Sequence, residues 1–161
     1  MLESLGTVGS VTPWPTLHPV CELEVLLGEP RDHGVTRDGH RKFTPVLGGW
    51  LRGLPGTEFE SLHAEVLPGG GDRQLWREDN GVTIVEIDAS YDVKTETCEL
   101  ISVRAEGIRN VSGEGTYFMV QLRFETSSLA HAGLQRALFV ADGVRQADRV
   151  QHTVFLVSAP I

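Results

Sequence analysis

An all-β antiparallel fold is predicted by three features of this 161-residue chain. Short runs alternate apolar and polar residues, turn signals rich in Gly, Asn and Asp separate them, and 18 glycines recur along the length. Alternation puts successive side chains on opposite faces of a strand, and Gly, Asn and Asp supply the positive φ angles of tight turns. From the residues alone, the architecture is an antiparallel barrel or sandwich with at most one or two short helices.

Residues 1–18 read as an N-terminal extension. Pro13 and Pro15 flank Trp14 and no period is sustained, and without a basic start or a continuous apolar run the segment does not read as a secretory leader. Residues 19–161 form a single domain, the expected count for a chain of roughly 100–200 residues. Strands are expected at 20–27, 42–47, 59–67, 73–77, 82–95, 99–108, 116–125, 137–141 and 150–157. The connecting turns are Gly28-Glu29-Pro30, Gly48-Gly49, Leu54-Pro55-Gly56, Pro68-Gly69-Gly70-Gly71, Asp79-Asn80-Gly81, Gly113-Glu114-Gly115 and Asp142-Gly143. One short helix is expected near 127–136.

Three strands show the alternation most cleanly. Phe118, Val120, Leu122 and Phe124 oppose Tyr117, Met119, Gln121, Arg123 and Glu125; Ile101, Val103 and Ala105 oppose Leu100, Ser102, Arg104 and Glu106; Val85, Ile87 and Ala89 oppose Ile84, Glu86, Asp88 and Ser90. An apolar face backed by charges of both signs fits a solvated sheet exterior, and it also fits the lumen of a ligand-holding barrel. Pairing through the turn at 95–99 brings Asp88 level with Arg104 or Glu106.

The net charge of −8 and the lack of any Lys/Arg cluster argue against a nucleic-acid partner and an anionic membrane surface. No run of about 18 apolar residues is present, so no membrane span is expected. Cys21 and Cys98, the two cysteines, are expected as buried free thiols of a cytoplasmic protein. On that reading the sequon Asn110-Val111-Ser112 is accidental. Phosphate-loop, dinucleotide, zinc-protease and nucleophile-elbow motifs are all absent. His33 and His40, with Asp32 and Asp38 beside them, read as an exposed loop rather than a metal site. No cofactor and no metal are expected.

Four ordered segments carry a resemblance. They are 34–49, with Phe43-Thr44-Pro45-Val46 and Gly48-Gly49; Val66-Leu67-Pro68-Gly69-Gly70-Gly71-Asp72 with Gln74; Ile87-Asp88-Ala89-Ser90-Tyr91 with Lys94-Thr95; and Arg123-Phe124-Glu125-Thr126 leading to Arg136-Ala137-Leu138-Phe139-Val140-Ala141. Over residues 19–157 the chain resembles the bacterial and fungal family called domain of unknown function 3237. The resemblance implies a small antiparallel β-barrel with a central cavity, associated into homo-oligomers. It fixes no activity, because fold does not determine chemistry. The chain departs from the family where Arg73 stands for a usual Trp, where His131-Ala132-Gly133-Leu134-Gln135 stands for a Tyr-x-Trp-Leu-Asn stretch, and where Glu96-Thr97-Cys98 stands for an acidic-Gly turn.

Within such a barrel the first expectation is a cofactor-independent enzyme of lyase, isomerase or cyclase type acting on a small organic metabolite. Asp88, Asp72, Tyr91 and His131 are its candidate acid–base groups, since carboxylates in partly apolar pockets shift toward neutrality. Arg73, Arg104, Arg123, Gln135 and Trp50 are its candidate ligand-binding groups. A non-catalytic ligand-binding barrel and an oligomeric structural module are the alternatives. For Asp72, capping of the glycine turn is an equally good reading.

Overall fold

The structure, a computed structural model, describes residues 13–112 and 117–159. The expected turn at 113–115 and residues 1–12 of the expected extension lie outside the described residues. Ten strands follow in chain order: β1 (Thr16–Leu27), β2 (Arg31–Thr36), β3 (Gly39–Gly53), β4 (His63–Val66), β5 (Gly71–Asp79), β6 (Val82–Thr95), β7 (Leu100–Asn110), β8 (Phe118–Thr126), β9 (Leu138–Arg145) and β10 (Arg149–Ser158). All adjacent pairs are antiparallel, and β1 pairs with β10 on one side and β3 on the other, which closes the sheet. β4 and β5 share one position in the wall: both bridge β3 and β6, β4 at one end and β5 at the other. The result is a closed antiparallel barrel of eight wall positions, with β2 flanking the far end of β3. Closure leaves few unpaired strand edges, which in open sheets invite aggregation.

Local chemistry explains most boundaries. Asn80 (φ 49°) and Gly81 (φ 84°) form the tight β5–β6 turn that an Asn-Gly pair favours. The β6–β7 turn is held by the Cys98 amide on the Thr95 carbonyl (2.9 Å) and by the Glu99 amide on Thr95 Oγ1 (3.0 Å). It places Cys98 in the left-handed region at φ 64°. Cys21 is buried as expected, but Cys98 is exposed, because the turn directs it outward.

Four expectations are corrected. Gly48-Gly49 does not break a strand; it lies inside β3, at the irregularity where β3 crosses β1. There Gly49 has φ 131°, and a Cβ on it would sit 1.9 Å from the Glu24 carbonyl oxygen, so the backbones approach as only glycine allows. Asp142-Gly143 likewise lies within β9, and the chain reverses later, where the Gln146 amide donates to the Arg149 carbonyl (2.8 Å). β2 was not expected, because its exposed residues carry no apolar alternation. The helix expected at 127–136 contracts to one 3-10 turn, Ala132–Gln135. Gln135 folds back to donate to the Thr126 carbonyl (3.0 Å) and to accept from the Thr126 amide (3.1 Å), which ends the helix early.

The inner faces of the strands form one core. At one end Phe59, Leu62, Phe124, Leu134 and Phe139 seal the lumen, with edge-to-face contacts between Phe59 and Phe139 (5.8 Å) and between Phe124 and Phe139 (5.3 Å). At the other end polar side chains replace apolar ones, and the lumen opens.

Candidate functional site

A cavity of about 50 Å³ occupies the open end. Its floor is apolar, with Val46, Ile87, Ala89, Ala105 and Val120 among the lining residues, while Thr44, Asp72, Gln74, Tyr91 and His152 face it together with Arg109 and Arg145. Each inward position follows from strand alternation. Asp72 and Gln74 are two apart on β5, Arg109 continues the inward row Ile101, Val103, Ala105, Gly107 on β7, and Arg145 continues Phe139, Ala141, Gly143 on β9. His152 lies between buried Val150 and Val154 on β10.

Asp72 is 8% exposed. Its Oδ2 accepts from Gln74 Nε2 (2.9 Å) and its Oδ1 from the Asp88 backbone amide (2.9 Å). Gln74 in turn accepts from Trp76 Nε1 (3.0 Å), so a chain of hydrogen bonds fixes the carboxylate. Burial pushes the Asp72 pKa up, against the two hydrogen bonds and the attraction of Arg109. Burial also pushes the Tyr91 phenol up. For His152 burial lowers the pKa, so the ring is neutral near pH 7. Its Nδ1 lies 2.7 Å from the Asp142 carbonyl, which can only accept. The proton therefore sits on Nδ1 and the Nε2 lone pair is available as a base. The edge-to-face contact with Phe118 (5.6 Å) holds the ring plane.

Arg109 and Arg145 are half-buried at the rim. Burial lowers both pKa values; Arg145 further depresses Arg109, while Asp72 favours the charged form of Arg109 and Asp148 and Asp72 favour that of Arg145. The Arg109 guanidinium lies 5.9 Å from the ring centres of both Trp76 and Phe118, and Arg145 donates to the Gln146 and Arg149 carbonyls. Two cations, one carboxylate, a neutral imidazole and a phenol thus face one apolar-floored space. Such a set can accept a proton, return one and hold negative charge.

Of the residues singled out from sequence, Asp72 and Tyr91 line this cavity. Asp88 reaches it only through its backbone amide. Its register partner is Glu106, one of the two that the pairing through the turn allowed, and its carboxylate lies outside, 3.5 Å from Arg104, whose Nε also binds Glu106 at 2.9 Å. All three of these side chains are about half exposed to solvent. The polar face shared by β6 and β7 is therefore the outer wall. Arg73 is on the outside too, in a shallow groove with Arg41, Asp88 and Glu106, and Arg123 sits opposite Arg104 on the same exterior. Trp50 donates to Glu24 Oε2 (3.0 Å) and packs under Arg52, away from the lumen. His131 is buried, but at the 3-10 turn by the sealed end, where its carbonyl accepts from the Leu134 amide (3.1 Å). Gln135 closes the loop already described. His40 pairs with Asp32 at 2.7 Å, and among the described residues no three His, Cys, Asp or Glu side chains gather as a metal-ligand set.

Sequence reasoning missed Arg109, Arg145 and His152. The signal was present: extending the inward rows of β7 and β9 past Gly107 and Gly143 reaches both arginines, and His152 alternates with Val150 and Val154.

Fold and site together define a small cavity-bearing antiparallel β-barrel protein with titratable groups gathered at one mouth. The chain belongs to the family described as Protein of unknown function (DUF3237), whose model matches residues 15–157. It is 30% identical over 152 residues to a UPF0311 protein of Rhodopseudomonas palustris, covering 84% of this chain and 94% of that protein. A β-barrel-like protein of Acinetobacter baumannii superposes with a TM-score of 0.79 at 26% identity, over 91% of this chain and 98% of that one. An enzyme of Penicillium herquei shares the fold at 14% identity (TM-score 0.64; 89% and 95% covered). Among the described residues no helix is long and apolar enough to cross a membrane.

Proposed function

We propose that the open end of the barrel is the active site of a cofactor-independent enzyme, of lyase, isomerase or cyclase type, that moves protons on a small organic molecule bearing a carbonyl group. The observation that carries this reading is the convergence of Asp72, Tyr91 and His152 with two arginines on one cavity. His152 Nε2 takes a proton from a carbon next to the carbonyl, giving an enolate. Arg109 and Arg145 stabilise the oxygen charge that develops. Tyr91 returns a proton at a different atom, and the proton on His152 passes through solvent at the mouth to the Tyr91 phenolate. Proton count and oxidation state are unchanged over the cycle. That a distant neighbour in fold is called an enzyme agrees with this reading.

The test is exchange of carbon-bound protons of pyruvate, phenylpyruvate and acetoacetate in deuterated buffer, followed by proton NMR. Exchange above the buffer rate that disappears in His152→Gln supports the proposal. Binding of these acids without accelerated exchange would favour a ligand-binding barrel that does no chemistry.

A further inference from the structure

We infer that the ligand of this cavity is a small monocarboxylic acid, its carboxylate held at the mouth between Arg109 and Arg145 and its hydrocarbon part directed to the apolar floor. The inference deepens the reading above and rests on it for the site, though not for the chemistry. β7 and β9 flank β8, and each ends its inward row with the same sequence of side chains: Ala105, Gly107, Arg109 on one and Ala141, Gly143, Arg145 on the other. The glycines leave no room for a larger residue. A Cβ on Gly107 would lie 2.0 Å from the Met119 carbonyl oxygen, and one on Gly143 would lie 2.8 Å from the Phe118 ring. Phe118 therefore packs into the space Gly143 leaves, with Arg109 directly across from it in register. Two guanidiniums are thereby set on either side of one aromatic residue at the rim.

Their charge is not balanced locally. Among the described residues neither Arg109 nor Arg145 lies within ion-pair distance of a carboxylate; the pairs that form involve Arg37, His40, Arg41, Arg77, Arg104 and Arg149. Asp72, the one carboxylate lining the cavity, is committed to Gln74 and the Asp88 amide. His152 contributes no charge when neutral. Asp148 also favours Arg145, but its carboxylate is held by Arg149 through two hydrogen bonds (3.0 and 3.1 Å), so among the described residues the cavity lining itself, with two half-buried guanidiniums and one carboxylate, is short of one negative charge. A guanidinium fork fits a carboxylate in plane, with two parallel hydrogen bonds. A carboxylate supplies one negative charge, whereas a phosphate monoester brings a second that Asp72 would repel. The cavity, about 50 Å³ and open at the mouth, admits the leading part of a compact, flat or branched hydrocarbon, and its apolar floor offers no partners for a sugar or nucleotide.

The experiment is calorimetric titration of the full chain with benzoate, phenyl phosphate and benzamide at low ionic strength. Benzoate should bind, benzamide should bind at least tenfold more weakly, and phenyl phosphate should bind more weakly than benzoate. Arg109→Gln and Arg145→Gln, each checked for folding by circular dichroism, should weaken benzoate about ten- to a hundredfold, the loss expected for a hydrogen-bonded ion pair. If benzamide equals benzoate, if phenyl phosphate binds best, if neither arginine variant changes benzoate affinity, or if benzoate does not bind at all, the inference is overturned. The two proposals fail separately. Benzoate binding without proton exchange on keto acids removes the catalytic reading and leaves the acid site, whereas exchange on acetone that is lost in His152→Gln, together with no binding of benzoate, removes the acid site and leaves catalysis.

Discussion

Arg109→Met should make the unliganded protein more stable while weakening acid binding about ten- to a hundredfold. Arg109 is half-buried, lies within ion-pair distance of no carboxylate among the described residues, and is depressed first by burial and then by Arg145. A cation whose pKa is lower in the folded than in the unfolded chain is charged at a cost to the fold, so removing the charge at neutral pH stabilises. Two unit charges ~4 Å apart repel by about 1 kcal/mol at a dielectric of 80 and about 4 kcal/mol at 20, and less at larger separations. Solvent at the open mouth brings the value toward the lower figure, on the order of 1 kcal/mol. Against this stands the guanidinium's contact with Trp76 and Phe118, both at the 5.9 Å limit of such interactions, contributing about 0.5 kcal/mol at a partly exposed site. Methionine keeps most of that contact area. The net gain is about 0.5 kcal/mol at low ionic strength, shrinking in about 0.5 M NaCl as the repulsion is screened. Urea unfolding followed by tryptophan fluorescence at the two salt concentrations measures it. A variant less stable than the parent at low salt, or a gain that salt leaves unchanged, would refute the reasoning.

Asp88→Asn should change stability by less than ~1 kcal/mol and leave acid binding intact, because its carboxylate is an exposed outer-wall group; urea unfolding and benzoate titration check both. His152 has a folded pKa below its ordinary 6.5, so as pH falls past about 6.5 the unfolded chain takes up a proton that the native one resists. Stability should decline there by up to ~1.4 kcal/mol per pH unit, and His152→Gln should flatten that slope in a pH series of unfolding curves. Gly49→Ala should cost at least ~3 kcal/mol, from strain at φ 131° plus a Cβ placed 1.9 Å from the Glu24 oxygen; a thermal melt within a few degrees of the parent would contradict this. Cys98→Gly should raise stability by up to ~1 kcal/mol, since glycine removes the side-chain penalty at φ 64°, with the gain read from the urea midpoint.

The sequence carried the fold further than the site. Period-two alternation located nine of the ten strands, because barrel walls with one buried face impose that period directly; β2 escaped because neither of its faces is buried. Gly49 and Gly143 misled as turn signals because glycine serves two needs, a positive φ in a turn and a close approach inside a strand, and composition does not separate them. Ending β9 at Ala141 on that account, and β7 at Ile108, hid Arg145 and Arg109. The polar outer face of β6 and β7 is legible as a cluster, and its register is legible to within two alternatives, Arg104 or Glu106 opposite Asp88, of which the structure has Glu106. Which side of the wall it occupied was not legible, because a mixed polar face satisfies lumen and solvent equally well. Asp72 was found through the glycine turn before it, while its engagement with Gln74 and the Asp88 amide depends on β5–β6 pairing that spacing alone does not reveal.

On the proposed reading the working surface is the lumen at the open end, not the outer wall, and backbone and side-chain NMR during a benzoate titration distinguishes the two. Shifts should concentrate at Asp72, Arg109, Arg145 and the His152 imidazole, with Arg73, Arg104 and Arg123 unmoved. Shifts concentrated in the outer groove at Arg41, Arg73, Asp88 and Glu106, with His152 stationary, would contradict it.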